Sequence, residues 1–175
     1  MAKLISKTYA DALFELAVED NKVDALFDEI AALKKLLAES GDFISFMNHP
    51  QIDKEEKLAL IDKAFKGNAS DEVTGFVKVI VDKDRFAQID AILDSFLHEI
   101  KEYKGIGEAT VITPMPMTEI QKSNLKDKLL KTTSYKEIIL DCQIDESLIG
   151  GMVVRIGDRV VDSSIRSGLE NLERS

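Results

Sequence analysis

The feature that most constrains this chain is a change of pattern at Tyr103-Lys104-Gly105-Ile106-Gly107. Ahead of it, apolar residues recur at helical spacing in six stretches, 5–20, 22–39, 42–48, 53–66, 71–84 and 86–103. Behind it, short β-branched runs are divided by glycines and prolines. Glycine ends helices because it adopts left-handed backbone angles without a Cβ clash, so the break separates two apolar patterns. Residues 1–104 hold three glycines and 14 basic against 21 acidic side chains, whereas 105–175 hold six glycines and 9 basic against 11 acidic. The expectation is an α+β chain of two domains. Residues 1–104 should form a six-helix α-bundle, and 105–175 a small α/β domain with a mixed sheet.

The joints of the first half carry suitable breakers: Asp20-Asn21, Ser40-Gly41, Asn48-His49-Pro50, Gly67-Asn68 and Asp84-Arg85. Asp53 followed by Glu56, and Ser70 or Asp71 before an apolar run, read as N-caps that accept from free backbone N–H groups. The run Val77-Lys78-Val79-Ile80-Val81 is β-branched and also suits a strand, but its flanks favour a helix. In the second half, 108–113 reads as a strand stopped by Pro114 and Pro116. A helix follows from Thr118 to Lys131, with Ile120, Leu125 and Leu129 assigned to one face. A second strand covers 138–142. The runs 151–156 and 160–162 flank Gly157-Asp158, a two-residue turn of the kind that closes a hairpin. Ser163 or Ser164 would cap a last helix bearing Ile165, Leu169 and Leu172.

A chain of 175 residues can bury a self-supporting core. Its net charge of −9 repels phosphate backbones and anionic lipid, which argues against nucleic acid and against direct membrane binding. One cysteine, Cys142, excludes an internal disulfide and a cysteine metal cluster. No apolar run approaches the ~20 residues that span a bilayer, and Met1-Ala2-Lys3-Leu4 does not open a signal peptide. A soluble intracellular protein is expected.

The catalytic inventory is empty. Nucleophilic catalysis needs a base beside Ser or Cys. His49 sits before Pro50 in a loop, and His98 beside Glu99 reads as a solvated helix face. Cys142, in a strand, reads as a small buried hydrophobe. Neither HExxH nor EF-hand spacing occurs, so no metal site is expected. Gly105-Ile106-Gly107 lacks the third glycine of a dinucleotide fingerprint, and no GK[ST] follows Gly150-Gly151. Carboxylate pairs such as Asp82/Asp84 and Glu55/Glu56 are ordinary neighbours in a chain with 32 acids. No catalytic residue, cofactor or small-molecule substrate is expected, and binding becomes the leading class.

Apolar surface in excess of a core's need supports that class. A helix packed on one side of a core needs an apolar stripe of a little over ~100°. The sixth stretch meets this with Phe86, Ile89, Ile92, Leu93, Phe96, Leu97, Ile100 and Tyr103 within roughly 140°. The first is wider: Tyr9, Ala10, Ala12, Leu13, Phe14, Leu16 and Ala17 cover roughly 200°. In the fifth, Val73, Phe76, Val77, Val79, Ile80 and Val81 also cover roughly 200°. Either both helices are buried on two sides, or each gives one stripe to the core and another to a groove for a partner helix. Periodicity leaves both open.

The same residues resemble a known family. Tyr9-Ala10-x-Ala12-Leu13-Phe14-x-Leu16-Ala17 is similar to the opening helix of the delta (OSCP) subunits of F-type ATP synthases. A longer signature runs from Ile144-Asp145 through Ser147-Leu148-Ile149-Gly150-Gly151-Met152-Val153-Val154-Arg155-Ile156-Gly157-Asp158 and Val160-Val161-Asp162 to Ser164-Ile165-Arg166. Ser163 replaces a frequent glycine and Gly168 a better helix former.

The resemblance implies a non-catalytic peripheral-stalk subunit without cofactor. It would link the N-terminal helix of an α subunit in the catalytic head to membrane-anchored b subunits, resisting rotor torque during proton-coupled synthesis. It would sit at the cytoplasmic face of the bacterial plasma membrane, peripheral through the complex. The helical domain would bind the head, and the C-terminal domain would face the b stalk. The implied groove residues are Tyr9, Ala12, Leu13 and Leu16 on the first helix, with Phe76, Val77, Ile80 and Val81 on the fifth. An acidic rim is expected there from Asp11, Glu15, Asp82 and Asp84. Most of the C-terminal signature has a structural reading, as turn glycines and caps. The competing readings are a stand-alone helical adaptor and a small α/β enzyme with a site near Cys142 and Asp141.

Overall fold

The chain divides into two units, Met1–Ile100 and Lys101–Ser175. The structure, a computed structural model, describes residues 2–162, so the expected C-terminal helix and its Ser163 or Ser164 cap lie outside the described residues.

In the first unit, α1 (Ala2–Glu19), α2 (Val23–Glu39), α3 (Gly41–Asn48), α4 (Lys54–Phe65) and α5 (Asp71–Asp82) follow with short links. A single 3₁₀ turn at Phe86–Gln88 then leads into α6 (Ile89–Lys104), so the sixth stretch is not one uninterrupted α-helix. Two joints turn on non-glycine residues in the left-handed region, Asn21 (φ 53°) and Asp84 (φ 56°). Both residue types tolerate that conformation because their short polar side chains bond locally.

The β-branched segment of α5 is helical for two reasons. Val73, Val77, Ile80 and Val81 recur at helical period and are all buried. Ser70 Oγ accepts from Val73 N at 3.4 Å, and Ser70 donates its own N–H and hydroxyl to Glu29 Oε2 at 3.0 and 2.7 Å. That cap ties α5 to α2 across 41 residues. Asp53 does occupy the N-cap position of α4, but its side chain makes no capping bond. The core of the unit is built on Phe96, Leu26, Ile30, Ile61, Ile80, Ile92 and Leu93.

The second unit contains β1 (Ile106–Thr113), α7 (Glu119–Thr132), β2 (Glu137–Ile144), β3 (Val153–Ile156) and β4 (Arg159–Asp162). The sheet order is β2-β1-β3-β4. β1 and β2 are parallel, joined through α7, while β1–β3 and β3–β4 are antiparallel. Parallel neighbours need such a crossover, which is why a helix stands between them. Ala109, Ile138 and Ile156 form the buried centre, with Leu129, Leu130, Tyr135 and Leu140 packed on it. α7 starts with a full capping box: Gln121 N donates to Thr118 Oγ1, and Thr118 N donates to Gln121 Oε1.

The glycines at the break have separate tasks. Gly105 (φ 73°) ends α6, and its carbonyl accepts from Lys136 N at 2.7 Å, where β2 begins. At Gly107 a Cβ would lie 2.5 Å from the Tyr135 ring, so this position must be bare for the ring to pack. β1 consequently starts at Ile106, two residues before the expected 108.

Two expectations are corrected here. Ile120 is 74% exposed rather than on the apolar face of α7 with Leu125 and Leu129. Cys142 is exposed rather than buried. β2 is an edge strand, and cover along it stops after Leu140.

Candidate partner-binding site

The sequence candidates on α1 and α5 separate cleanly by burial. Leu13 is 2% exposed, and Val77, Ile80 and Val81 are likewise buried in the helical core. Tyr9 and Phe76 are half-buried, packed against that core from outside. Ala12 is exposed, and Leu16 is 36% exposed. The structure therefore places four of the eight candidates in the core and four on or beside the surface.

Helical geometry gives this division a direction. On α5 the buried residues Val73, Val77, Ile80 and Val81 fill a sector of roughly 100°, which is what a one-sided helix needs. Phe76 and Val79 lie outside it, and Val79 is 49% exposed. On α1 the buried side holds Ser6, Ala10, Leu13 and Ala17, and the adjoining sector holds Tyr9, Ala12 and Leu16. Each wide arc is thus a core stripe with a second apolar stripe alongside. Val79 was absent from the sequence candidates. Its signal was its place in the wide arc of α5, about 60° beyond Phe76.

The acidic surroundings are more nuanced than a simple rim. Beside α5, Lys54 Nζ pairs with Asp84 Oδ2 at 2.9 Å and donates to the Asp82 carbonyl at 2.6 Å. Lys83 also lies 3.6 Å from the Asp82 carboxylate. Those charges are largely offset. Beside α1, Glu15 is exposed and Asp11 is half-buried. Asp11 faces Glu99 of α6, whose carboxyl is pushed up to about 7, first by burial and then by Asp11 through hydrogen bonding and charge, against the pull of Lys7. Glu99 Oε2 is buried without a hydrogen-bond partner. At the first turn of α5, Glu72 pairs with Lys22, which holds the carboxyl below its ordinary range.

A separate apolar hollow of about 590 Å³ is lined by Leu33, Leu36 and Leu37 of α2, Phe43 of α3, Phe65 of α4 and Val73 of α5. No sequence candidate lies in it. Leu36, 59% exposed, is its outermost residue by that measure among the large hydrophobics.

Among the described residues no cluster of three or more His, Cys, Asp or Glu is arranged to hold a metal. His49 Nδ1 accepts from Gln51 N at 3.3 Å in the α3–α4 loop, and His98 is exposed on α6. Asp141, next to Cys142, accepts from Gln143 Nε2 at 2.9 Å. No described helix is long and apolar enough to cross a membrane.

Comparison with known proteins agrees with the fold. Residues 5–175 match the family described as ATP synthase delta (OSCP) subunit. The ATP synthase subunit delta of Lachnoclostridium phytofermentans is 46% identical over 175 residues, covering 100% of this chain and 96% of that one. The corresponding protein of Acetivibrio thermocellus is 35% identical over 167 residues, covering 95% and 94%. A chain in the Toxoplasma gondii mitochondrial ATP synthase hexamer shares the fold, with a TM-score of 0.78 at 17% identity and coverage of 97% and 95%. With a match that runs nearly end to end, the chain belongs to the ATP synthase delta (OSCP) subunit family.

Proposed function

We propose that this chain is the connector between the catalytic head and the membrane-anchored stalk of an F-type ATP synthase. By family it is a structural rather than a catalytic subunit of that complex, associated with other synthase subunits at the periphery of the membrane. In our reading, residues 1–104 hold the N-terminal helix of an α subunit, and residues 105–175 meet the b subunits. The complex would lie on the cytoplasmic face of a bacterial plasma membrane. A stator must bind at both ends while the rotor turns, so the link resists torque and keeps proton flow coupled to synthesis.

The observation that supports the head contact is the second apolar stripe on α1 and α5, formed by Tyr9, Ala12, Leu16, Phe76 and Val79. An amphipathic helix laid along such stripes buries apolar area and needs no ordered loop. Leu13, Val77, Ile80 and Val81 support the site from below, by fixing the helices in the core. The test is reconstitution of stripped membranes with the other synthase subunits. With this chain, head rebinding and proton-driven ATP synthesis should both recover. Recovery without it, or none with it, would refute the connector role.

A further inference from the structure

An apolar pocket of about 420 Å³ lies in the second unit, where the end of β1, α7 and the start of β3 converge. Its walls include Met115, Met117 and Met152, with Pro114 and Pro116 beside them and Leu125 from α7. The loop is preorganised. Each proline fixes its own φ, and Thr113 Oγ1 donates to the Met115 carbonyl at 2.8 Å. Methionines lining a hollow adapt to varied apolar side chains because their stems are unbranched and polarizable. Outside the pocket on α7, Ile120 is 74% exposed and lies one turn from Asn124 of its wall.

The charge around the pocket is opposite to that of the chain. Lys128 lines it, and Lys131 follows one turn later on the same side of α7. Neither pairs with a carboxylate among the described residues, although the chain as a whole is net −9. Asp127 is the one acidic residue beside them on α7, next to Lys128 in sequence.

We infer that this pocket is a docking site for an amphipathic helix whose apolar ridge is flanked by carboxylates, the ridge entering between the methionines and the acids meeting Lys128 and Lys131. The identity of that helix as part of a b subunit rests on the proposed stalk role. The pocket chemistry itself does not.

The five methionines make the test direct. With full-length chain labelled at the methionine methyl carbons, Met115, Met117 and Met152 report the pocket, while Met47, buried in the helical unit, is an internal control. Three probes are titrated: a helical peptide with a Leu ridge flanked by Glu, the same peptide flanked by Lys, and the soluble part of the b subunit. The Glu-flanked peptide and the b segment should move the three pocket methyls saturably and leave Met47 still. A Lys128→Glu, Lys131→Glu double variant should weaken both about ten-fold or more while leaving the melting curve cooperative.

Equal response to the Lys-flanked peptide would overturn the inference. So would pocket signals that depend on protein concentration alone, which would mean a second copy fills the site. Pocket signals that respond to the Glu-flanked peptide only after residues 163–175 are removed would likewise overturn it, since the chain's own end would be the occupant. If the b segment binds without moving these methyls, the stalk role stands and this pocket is wrong. If the Glu-flanked peptide moves them and the b segment does not bind at all, the pocket stands and the stalk role fails.

Discussion

Aspartate placed at two neighbouring positions on α1 should give opposite outcomes. Leu13 is 2% exposed, and truncating such a residue to alanine costs about 2–5 kcal/mol through lost burial and a residual cavity. An aspartate there adds an unpaired charge against Ala10, Ala17 and their neighbours. Against a total stability of about 5–15 kcal/mol, Leu13→Asp should abolish cooperative folding of the helical unit or nearly so. Leu16 is 36% exposed, so only roughly two-thirds of its side-chain burial can be lost, which is about 1 kcal/mol. Val79 is 49% exposed, and Val79→Asp should cost about 1 kcal/mol or less.

Binding should follow the reverse order among the folded variants. In a complex, either outward aspartate would be trapped against the partner's apolar face. A penalty of about 3 kcal/mol corresponds to more than a hundred-fold in affinity. Leu36→Asp, in the separate hollow between α2 and its neighbours, is the control and should bind normally. The assay pairs the melting midpoint of each variant with its affinity for a synthetic peptide of the α-subunit N-terminus. Undiminished binding by folded Leu16→Asp and Val79→Asp refutes the site. Loss of binding in Leu36→Asp alone moves the site to the other hollow.

Glu99→Gln tests the buried carboxyl. The carboxyl of Glu99 titrates at about 7 in the folded chain against an ordinary 4.5, so the folded state holds a proton that the unfolded state releases. Its contribution to stability therefore falls as pH rises from about 4.5 to 7 and is level above that. After discounting for solvent contact this is about 1 kcal/mol, so the helical unit of the variant should melt about 4–8 °C above that of the parent at pH 8 and level with it near pH 4.5. A difference that is the same at both pH values rules this out. Gly107→Ala should destabilise the second unit by about 1–3 kcal/mol, because the new methyl displaces the Tyr135 ring and with it the 2.8 Å bond from its hydroxyl to Glu102; an unchanged denaturation midpoint counts against that packing. A fragment ending at Lys104 should melt cooperatively with helical circular dichroism, and one that stays unfolded shows that the first unit needs the rest of the chain. Glu15→Lys should slow association of the α-subunit peptide about three-fold at low salt with little effect at high salt, as stopped-flow mixing would reveal.

The helices were legible because each stretch repeats its apolar residues at one period, and because Ser70 and Thr118 are cap-forming types at the right places. The β-branched run in α5 read as helix from its flanks, and the joint burial of Val77, Ile80 and Val81 agrees with that reading. Cys142 misled for a different reason. A strand residue's burial depends on what lies beside the strand, and the edge position of β2 is set by pairing among segments as far apart as 106 and 156. The methionine pocket was hidden for the same cause, since its walls come from three separate stretches of chain.

The partner stripe was half legible, and the missing half is instructive. An apolar arc of roughly 200° says that a helix has two apolar jobs, but its two halves are chemically alike. Leu13 and Leu16 are both leucine, and only the position of the other helices decides which is core. The rim was misread for a related reason. Asp82 and Asp84 are acidic in sequence, yet Lys54, some thirty residues earlier, pairs with the Asp84 carboxylate, and Lys83 lies beside that of Asp82. What remains unbalanced near the stripe is on the α1 side, at Glu15 and at Asp11, which faces Glu99. A partner helix with basic flanks would therefore be oriented by α1 and held by apolar contact along both helices. The orientation comes from charge and the affinity from burial, so salt should change how fast the helix finds its place more than how long it stays.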